Sequence, residues 1–250
     1  MEGEQEDMKK LVAMAFCSSL LMVGCGDSKQ TISQSEEKVQ QEIKKEEAIA
    51  SANLEIENSG SNVWKDSIDT VWVNSAAVYK NTGDVPVEIG ESQMNYMAKD
   101  GSILGTSTMI YSVPKVVQPG ETAIIGEATM LDGETTVNNY DKTTYNFNFN
   151  PTEDGPNLME VSMVKGIAGE YDYSVTGLVK NPTTEQQEDV RLAAILYDET
   201  GMVLGALTGS VDVGLAPNGE AGFELSYPPL PEDIESKVKE IEVKSYGFKW

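Results

Sequence analysis

Beyond residue 52, short segments of the chain alternate apolar and polar residues with a period of two. This period is expected of β-strands that bury one face and expose the other. Residues 71–79, 85–89 and 145–149 show the alternation most clearly. Gly, Pro, Asn and Asp interrupt it every ~8–12 residues, which is the turn spacing of a β-sandwich. The pattern therefore predicts an all-β fold.

The same fixed points occur twice along the chain, which predicts an internal repeat. The Lys-Asn pair at residues 80–81 returns at residues 180–181, and the turn glycine Gly101 returns as Gly201. Two equivalent points in the same order, each separated by 100 residues, indicate two copies of one structural unit.

A short segment at residues 151–156 separates the two copies and contains Pro and Gly, which is typical of an exposed linker. We therefore expect two tandem β-sandwich domains, over residues 52–150 and 157–250. Each has about 100 residues, an ordinary size for a domain. A cleft formed at this joint would be the place for a soluble ligand.

Residues 9–25 follow the pattern of an export signal and not that of a strand. Two lysines open the segment, residues 11–23 are mostly apolar, and Gly24-Cys25 closes it. An apolar run of this length is too short to span a membrane but suits a signal peptide. The end of the segment resembles the lipobox of bacterial lipoproteins, with Met22 where that motif most often has Leu.

The lipobox resemblance implies that residues 1–24 are a signal peptide and that Cys25 carries the lipid that attaches the protein to a membrane. Because residues 1–7 place four acidic side chains before the lysines, we expect the true start to be Met8. The polar residues 25–51 would then form a tether, or in part a weak oligomerising helix. The alternative is a cytosolic protein with a buried N-terminal helix.

A second resemblance lies in the second copy. Residues 195–198, Ile-Leu-Tyr-Asp, followed by Gly201, resemble the FxLYD-type domain of bacterial, often Gram-positive, surface lipoproteins. Lys180-Asn181 and the turn at residues 217–220 supply the flanking parts of that pattern, while Ala194 replaces its Phe. The resemblance implies immunoglobulin-like sandwiches in an extracytoplasmic protein, and it brings no enzymatic residues with it.

Composition narrows the chemistry that the chain offers. The sequence of 250 residues contains no histidine, which removes Ser-His-Asp and Cys-His catalysis and His-ligated zinc. Its two cysteines are Cys17 and Cys25, so the mature domains would contain no disulfide. The formal net charge of −23 opposes binding to nucleic acid.

A hydrolase remains as a remote alternative. Residues 35–38 and 112–115 both fit the Ser-x-x-Lys spacing, but the Ser-Asp-Asn and Lys-Thr-Gly partner motifs do not occur in the sequence. We therefore assign no catalytic residue and expect a protein that is not an enzyme.

Two kinds of binding chemistry stay open. Acidic clusters in predicted turns would suit calcium, which takes oxygen ligands; they are Glu153-Asp154, Glu185 with Glu188-Asp189, and Glu232-Asp233 with Glu235. Aromatic side chains either fill the cores or, where exposed, stack on a partner; the candidates are Trp64, Trp72, Tyr171, Tyr173, Tyr246 and Trp250.

The sequence as a whole predicts a membrane-anchored extracytoplasmic lipoprotein that acts as a non-enzymatic binding or interaction module. We expect it to contact the membrane through the lipid on Cys25 and to bind a protein or another component of the cell envelope. A small-ligand or calcium-binding lipoprotein is the alternative. No cofactor and no metal site are assigned.

Overall fold

The computed structural model describes residues 51–131, 137–169 and 172–248. The predicted signal peptide, Cys25 and nearly all of the predicted tether lie outside the described residues, as do Tyr171 and Trp250. None of the helices in the described ranges is long and apolar enough to cross a membrane.

Antiparallel strands of residues 54–151 form two facing sheets, here called sandwich 1. Sheet A has the strand order β1-β2-β6, and sheet B has the order β4-β3-β7 with the short β5 also paired to β3. The strands are β1 (Leu54–Lys65), β2 (Val71–Asn81), β3 (Val87–Ala98), β4 (Ile103–Ile110), β5 (Val116–Val117), β6 (Thr122–Met130) and β7 (Tyr140–Pro151), with a 3-10 helix at Val137–Asn139.

The remaining strands form a second pair of sheets, here called sandwich 2. Sheet D has the order β12-β9-β8 and sheet C the order β11-β10-β13. The elements are β8 (Glu160–Ala168), β9 (Tyr173–Lys180), β10 (Asp189–Tyr197), β11 (Val203–Val211), β12 (Glu220–Leu225), the short helix α1 (Ile234–Lys237) and β13 (Glu240–Phe248). The all-β fold class predicted from the alternation is confirmed.

The two sandwiches have the same topology. Strands β1, β2 and β6 of sheet A correspond in order and pairing to β8, β9 and β12 of sheet D. Strands β3, β4 and β7 of sheet B likewise correspond to β10, β11 and β13 of sheet C.

Each sandwich has its own apolar core, built from the inward faces of its strands. In sandwich 1 the core contains Val73, Ala77 and Tyr79, the alternating residues of β2. In sandwich 2 it contains Leu192 and Leu196, with Ala194 between them fully buried. Alternate side chains of these strands therefore point into the core of their own sandwich.

One alternating pair behaves differently. Leu54 is buried, but Ile56 is largely exposed. The register of β1 against β2 shifts between Ile56 and Asn58, and such a bulge interrupts the alternation.

Asn81 and Asn181, the equivalent asparagines of the repeat, both form hydrogen bonds to the backbone of their own sandwich. Asn81 is fully buried and donates from Nδ2 to the carbonyl oxygens of Val85 (2.8 Å) and Val117 (2.9 Å). Its Oδ1 accepts from the amide of Gly83 at 2.9 Å. One amide side chain thus provides partners for three backbone groups, two in the turn after β2 and one in β5.

Asn181 repeats these three bonds and makes two more, to the carbonyl of Ala216 (3.2 Å) and from the hydroxyl of Thr183 (2.7 Å). Its Nδ2 donates to the carbonyl oxygens of Glu185 (2.8 Å) and Leu215 (2.9 Å), and its Oδ1 accepts from the amide of Thr183 (2.9 Å). The repeat read from the sequence is therefore a structural repeat at these positions.

The predicted turns are present. Gly101 has a φ of +85° and Gly201 a φ of +80°, a region that glycine enters at little cost. Before them, the Oδ1 atoms of Asp100 and Asp198 accept hydrogen bonds from backbone amides two residues ahead. Each of these turns connects two antiparallel strands of one sheet.

A third apolar cluster lies between the two sandwiches, where sheet A packs against sheet C. Its buried members come from both sheets and from the loop before β5; they are Ala76, Val78, Val113, Ile124, Ala193, Ile195, Val203, Ala206 and Tyr246. Tyr197, which the sequence analysis compares with the family pattern, lies on this face and packs against the cluster. All described residues belong to one compact unit, Ile49–Trp250.

Small residues let the two sheets approach closely. A Cβ atom added at Gly126 would lie 2.5 Å from the Cβ of Ala206, and one at Gly60 would collide with the carbonyl of Val203. Real Cβ atoms cannot come so near, so these two positions of sheet A accept only glycine while the sandwiches stay in contact.

Three asparagines of sheet A reach across to the backbone of sandwich 2. Asn58 donates to the carbonyl of Gly201 at 3.0 Å and Asn74 to that of Pro229 at 3.1 Å. Asn62 donates to the carbonyl of Leu204. The contact is therefore specific as well as apolar, because each bond fixes the register of one sheet over the other.

The contact is asymmetric with respect to the repeat. Sandwich 1 contributes sheet A, whose equivalent in sandwich 2 is sheet D. Sandwich 2 contributes sheet C, whose equivalent in sandwich 1 is sheet B. The outer faces of sheets B and D remain uncovered by the described residues.

Candidate binding groove

An open groove of about 500 Å³ lies beside the contact between the two sandwiches. Met109 and Tyr111 form its rim on sandwich 1, and Tyr227, Tyr246 and Phe248 line it on sandwich 2. Its volume falls in the range of sites for small ligands, and its walls are mainly aromatic and apolar, as such sites usually are.

The floor of the groove is one row of side chains across sheet C. Arg191 on β10 lies directly opposite Ser210 on β11 and Tyr246 on β13. Directly opposite residues on one face of a sheet are neighbours at about 5 Å, so the three side chains form a continuous surface. Burial of Val190 and Leu192 in the core directs Arg191 to this face.

Arg191 is the only arginine in the sequence, and a carboxylate holds it in place. Its Nε donates to Oδ2 of Asp189 at 2.7 Å. Within the described part of the chain, Arg191 donates a hydrogen bond from Nε only. The two terminal nitrogens of the guanidinium are left as a planar pair of donors, which is the geometry that binds a carboxylate bidentately.

Asp189 is buried, and its second oxygen, Oδ1, has no hydrogen-bond partner within the described ranges. A buried carboxylate is costly unless it is paired, so the Arg191 contact is the interaction that accommodates it.

Two tyrosines of the groove, Tyr227 and Tyr246, have raised pKa values and are neutral at physiological pH. Burial, aided by the nearby Asp189 and Tyr111, raises the pKa of Tyr246 to about 12, although Arg191 acts in the opposite direction. Burial also raises the pKa of Tyr227. Glu127 raises it further, because its Oε1 accepts a hydrogen bond from the Tyr227 hydroxyl at 3.2 Å.

The rim residues expose apolar surface that a soluble protein does not need for folding. Tyr111 is 69% exposed and Met109 is 63% exposed. Met109 also has a φ of +57°, which is uncommon for a residue other than glycine and concentrates at functional sites. Met163, on the bulged strand β8 outside the groove, shares this conformation with a φ of +54°.

Two other depressions lie at the joint between the sandwiches, where the sequence analysis places a cleft. One of about 250 Å³ is lined by Pro114, Pro156, Leu158 and Val243 among others, and one of about 450 Å³ contains Asp154 and Gly155. Neither depression is lined by Arg191, whereas the groove of about 500 Å³ is, so the groove is the place where a guanidinium could bind a ligand.

The aromatic residues singled out in the sequence divide between core and surface. Tyr173 and Tyr246 are buried. Trp64 and Trp72 stack on adjacent strands at a centroid distance of 6.4 Å, and the indole nitrogen of Trp72 donates to Asp66 at 3.0 Å. Of the four members within the described ranges, Tyr246 is the one that lines the groove.

The acidic clusters considered for calcium are dispersed. In the described ranges, no group of three or more acidic side chains is arranged to hold a metal ion. Asp233 instead pairs with Lys237 at 2.6 Å, and Asp189 pairs with Arg191.

The Ser-x-x-Lys segment at residues 112–115 does not form a pair of catalytic groups. Ser112 is buried and its hydroxyl has no partner within the described residues, while Lys115 pairs with Glu88 at the surface. The other such segment, residues 35–38, lies outside the described residues.

Comparison with known proteins adds little to this geometry. No protein-family model matches the chain, and no curated protein matches it. A red sea bream transglutaminase matches 80% of this chain and 30% of its own, with 14% identity and a TM-score of 0.20. A Bacteroides uniformis β-glucuronidase matches 80% of this chain and 33% of its own, with 12% identity and a TM-score of 0.21.

A calcium-binding mutant of β-glucuronidase 2 from the same bacterium matches 73% of this chain, with 10% identity and a TM-score of 0.21. The chain thus spans about a third of the length of the solved structures that it matches. Similarity at this level carries no information about function.

Sequence reasoning did not identify Met109, Tyr111, Arg191 or Tyr227 as site residues. Tyr111 and Tyr227 meet only because the two sandwiches pack together, and no local pattern predicts that contact. One signal was present, since a single arginine in a strongly acidic chain is unusual enough to examine.

Proposed function

We propose that this protein is a membrane-anchored extracytoplasmic lipoprotein, related to the FxLYD-type proteins, that acts as a non-enzymatic binding module. It holds its ligand in the groove between the two sandwiches. Anchoring rests on the lipobox that ends at Cys25, and binding rests on the groove with its exposed aromatic rim.

The observation that carries the binding role is the arrangement around Arg191. The side chain is held at Nε, is half exposed, and points into a groove of ligand size. An arginine with a purely structural role donates its hydrogen bonds to groups of the protein itself. The two terminal nitrogens of Arg191 remain available to a ligand.

Anchoring is tested by changing each cysteine in turn. In bacteria that make the full chain, Cys25→Ser should abolish labelling with a fatty-acid analogue and release the protein from the membrane fraction. Cys17→Ser is the matched control, because it lies within the signal peptide and should leave labelling unchanged. Equal labelling and equal retention of the Cys25→Ser protein would refute the anchor.

Binding in the groove is tested with a photo-crosslinking amino acid placed at position 111 or at position 163. Both native side chains are exposed, but only Tyr111 lines the groove. Irradiation of living cells should give a defined adduct from position 111, weakened by Arg191→Lys, and none from position 163. The same adducts from both positions would show that the groove is not the binding site.

A further inference from the structure

We propose that the ligand of the groove is a small organic acid, a carboxylate joined to an aromatic or apolar body. This inference rests on the proposed binding role of the groove and adds the chemical class of the ligand. It follows from three observations on separate residues.

The first observation is the donor set on the floor. Arg191 offers a planar pair of N–H groups, and Ser210 and Tyr246, which both carry hydroxyl groups, are its direct neighbours in the same row. A carboxylate matches this set because its two oxygens accept a bidentate contact and have lone pairs left for hydroxyl donors.

The second observation is charge. The chain carries a net charge of −23, Glu127 lines the groove and Asp189 lies beside Arg191, yet one oxygen of each of these two carboxylates already accepts from a donor within the protein. Asp189 is bonded to Arg191, and Glu127 accepts from Tyr227. Of the two charged residues that line the groove, Arg191 and Glu127, the guanidinium is the one with N–H donors left for a ligand, and such donors favour an anionic acceptor.

The third observation is the apolar surface next to that charge. Tyr246 and Phe248 lie at a centroid distance of 4.7 Å with their planes tilted by 54°, and Met109 and Tyr111 face the same space from sandwich 1. Aromatic walls favour a ring, and the methionine adapts to its outline.

Size selects a small molecule over a chain terminus or a polymer. The volume of about 500 Å³ accommodates one compact molecule. A phosphate or sulfate alone would use the arginine and leave the aromatic walls without a partner. A carboxylate on a ring uses both parts of the site.

The test uses the full chain and 3-phenylpropionate as the probe, with neutral 3-phenylpropan-1-ol as its uncharged counterpart, in ligand-observed NMR titrations. We expect the acid to bind at least about tenfold more tightly than the alcohol, because only the acid can engage Arg191 bidentately. The tripeptide Ala-Ala-Phe and its C-terminal amide form a second arm.

Three variants locate the site. Arg191→Lys keeps a positive charge beside Asp189 but loses the planar pair, and it should weaken binding of the acid by about tenfold. Met109→Ala should weaken it by about threefold through lost contact area. Met163→Ala, which removes an equally exposed methionine with the same backbone conformation, should leave binding unchanged. Thermal melting shows whether each variant is folded.

Each outcome bears on the inference. Preference for the acid, lost in Arg191→Lys and kept in Met163→Ala, supports it. Equal binding of acid and alcohol, or no effect of Arg191→Lys and Met109→Ala, overturns the carboxylate. Binding of the tripeptide acid alone overturns the small molecule. If neither probe binds while position 111 still gives its specific adduct, the ligand class is wrong and the binding role of the groove stands.

Discussion

Sheets A and D are equivalent in the repeat, yet one is covered and the other is open. The middle row of sheet A is Gly60, Ala76 and Gly126, whereas the equivalent row of sheet D is Lys165, Thr176 and Glu224. The row of small residues fits against sheet C, and the charged row faces water. Two side chains out of three in one row therefore decide which face of a sandwich becomes an interface.

The comparison also separates what the repeat preserves from what it varies. Asn81 and Asn181 make the same hydrogen bonds to the backbone in both copies. The outer faces differ completely. The fold of each sandwich and its contact with the other thus depend on different residues and can be disturbed separately.

The largest effect is expected from exchanging the residues of the two rows. Gly126→Glu, which gives sheet A the residue of sheet D, would place a charged side chain against Ala206 and should lower the free energy of unfolding by about 4 kcal/mol or more. Glu224→Gly is the reciprocal control and should change it by less than about 1 kcal/mol. Denaturant titration measures both, and equal effects would contradict the asymmetry.

The next largest effect is expected from removing the asparagine that both sandwiches share. Asn81→Ala removes three hydrogen bonds and Asn181→Ala removes five, and each change should cost about 3 kcal/mol, because backbone partners are left unpaired. We expect the two costs to agree within about 1 kcal/mol, since three of the bonds are equivalent and the two further bonds of Asn181 are only partly buried. A large cost for only one asparagine in chemical denaturation would show that the repeat is not energetically equivalent.

A smaller effect is expected from removing the partner of sheet C. The prediction that residues 157–250 form a domain means that this segment alone should unfold in one cooperative thermal transition. Its melting temperature should lie about 10 °C below that of the whole chain, because Ala193, Ile195 and Ala206 lose their cover. A segment without any transition in calorimetry would refute the domain boundary.

The smallest effect is expected at alkaline pH. Burial raises the pKa of Tyr79 and of Tyr96 from 10.0 to about 12, and raises that of Tyr145 as well. Because these pKa values are higher in the folded state, the stabilisation is complete below about pH 10 and is lost as the pH rises towards 12.

Burial raises the pKa of Tyr197 and of Tyr246 in sandwich 2 to about 12 as well, so both sandwiches should lose stability in alkali. Melting temperatures followed together with tyrosinate absorbance should fall between pH 10 and 12, and Tyr79→Phe should reduce that fall. A flat profile over this range would contradict the buried state of these hydroxyls.

Much of each sandwich could be predicted from the sequence because the information is local. Alternation sorts Val73, Ala77 and Tyr79 into the core, and the turn at Gly201 needs only Asp198 and a residue that accepts a positive φ. The bulge at Ile56 escaped this reasoning, because a shift of register leaves no mark on the alternation itself.

The contact between the sandwiches and the groove beside it could not be predicted in the same way. Ala76 and Val78 belong to a strand that is buried on both faces, but the sequence does not say which surface covers the second face. Tyr111 and Tyr227 are distant in the chain and come together only through that packing. Arg191 forms part of a binding site only together with its neighbours on two other strands.

The joining of unlike sheets has a consequence for how long such a molecule can become. A contact between two different surfaces does not close on itself, so identical units joined in this way would stack into a rod of any length. Here the far end of the stack is sheet D, where Lys165 and Glu224 replace the two glycines. These two charges act as the terminal cap of a two-unit column, as polar end repeats do in solenoid proteins.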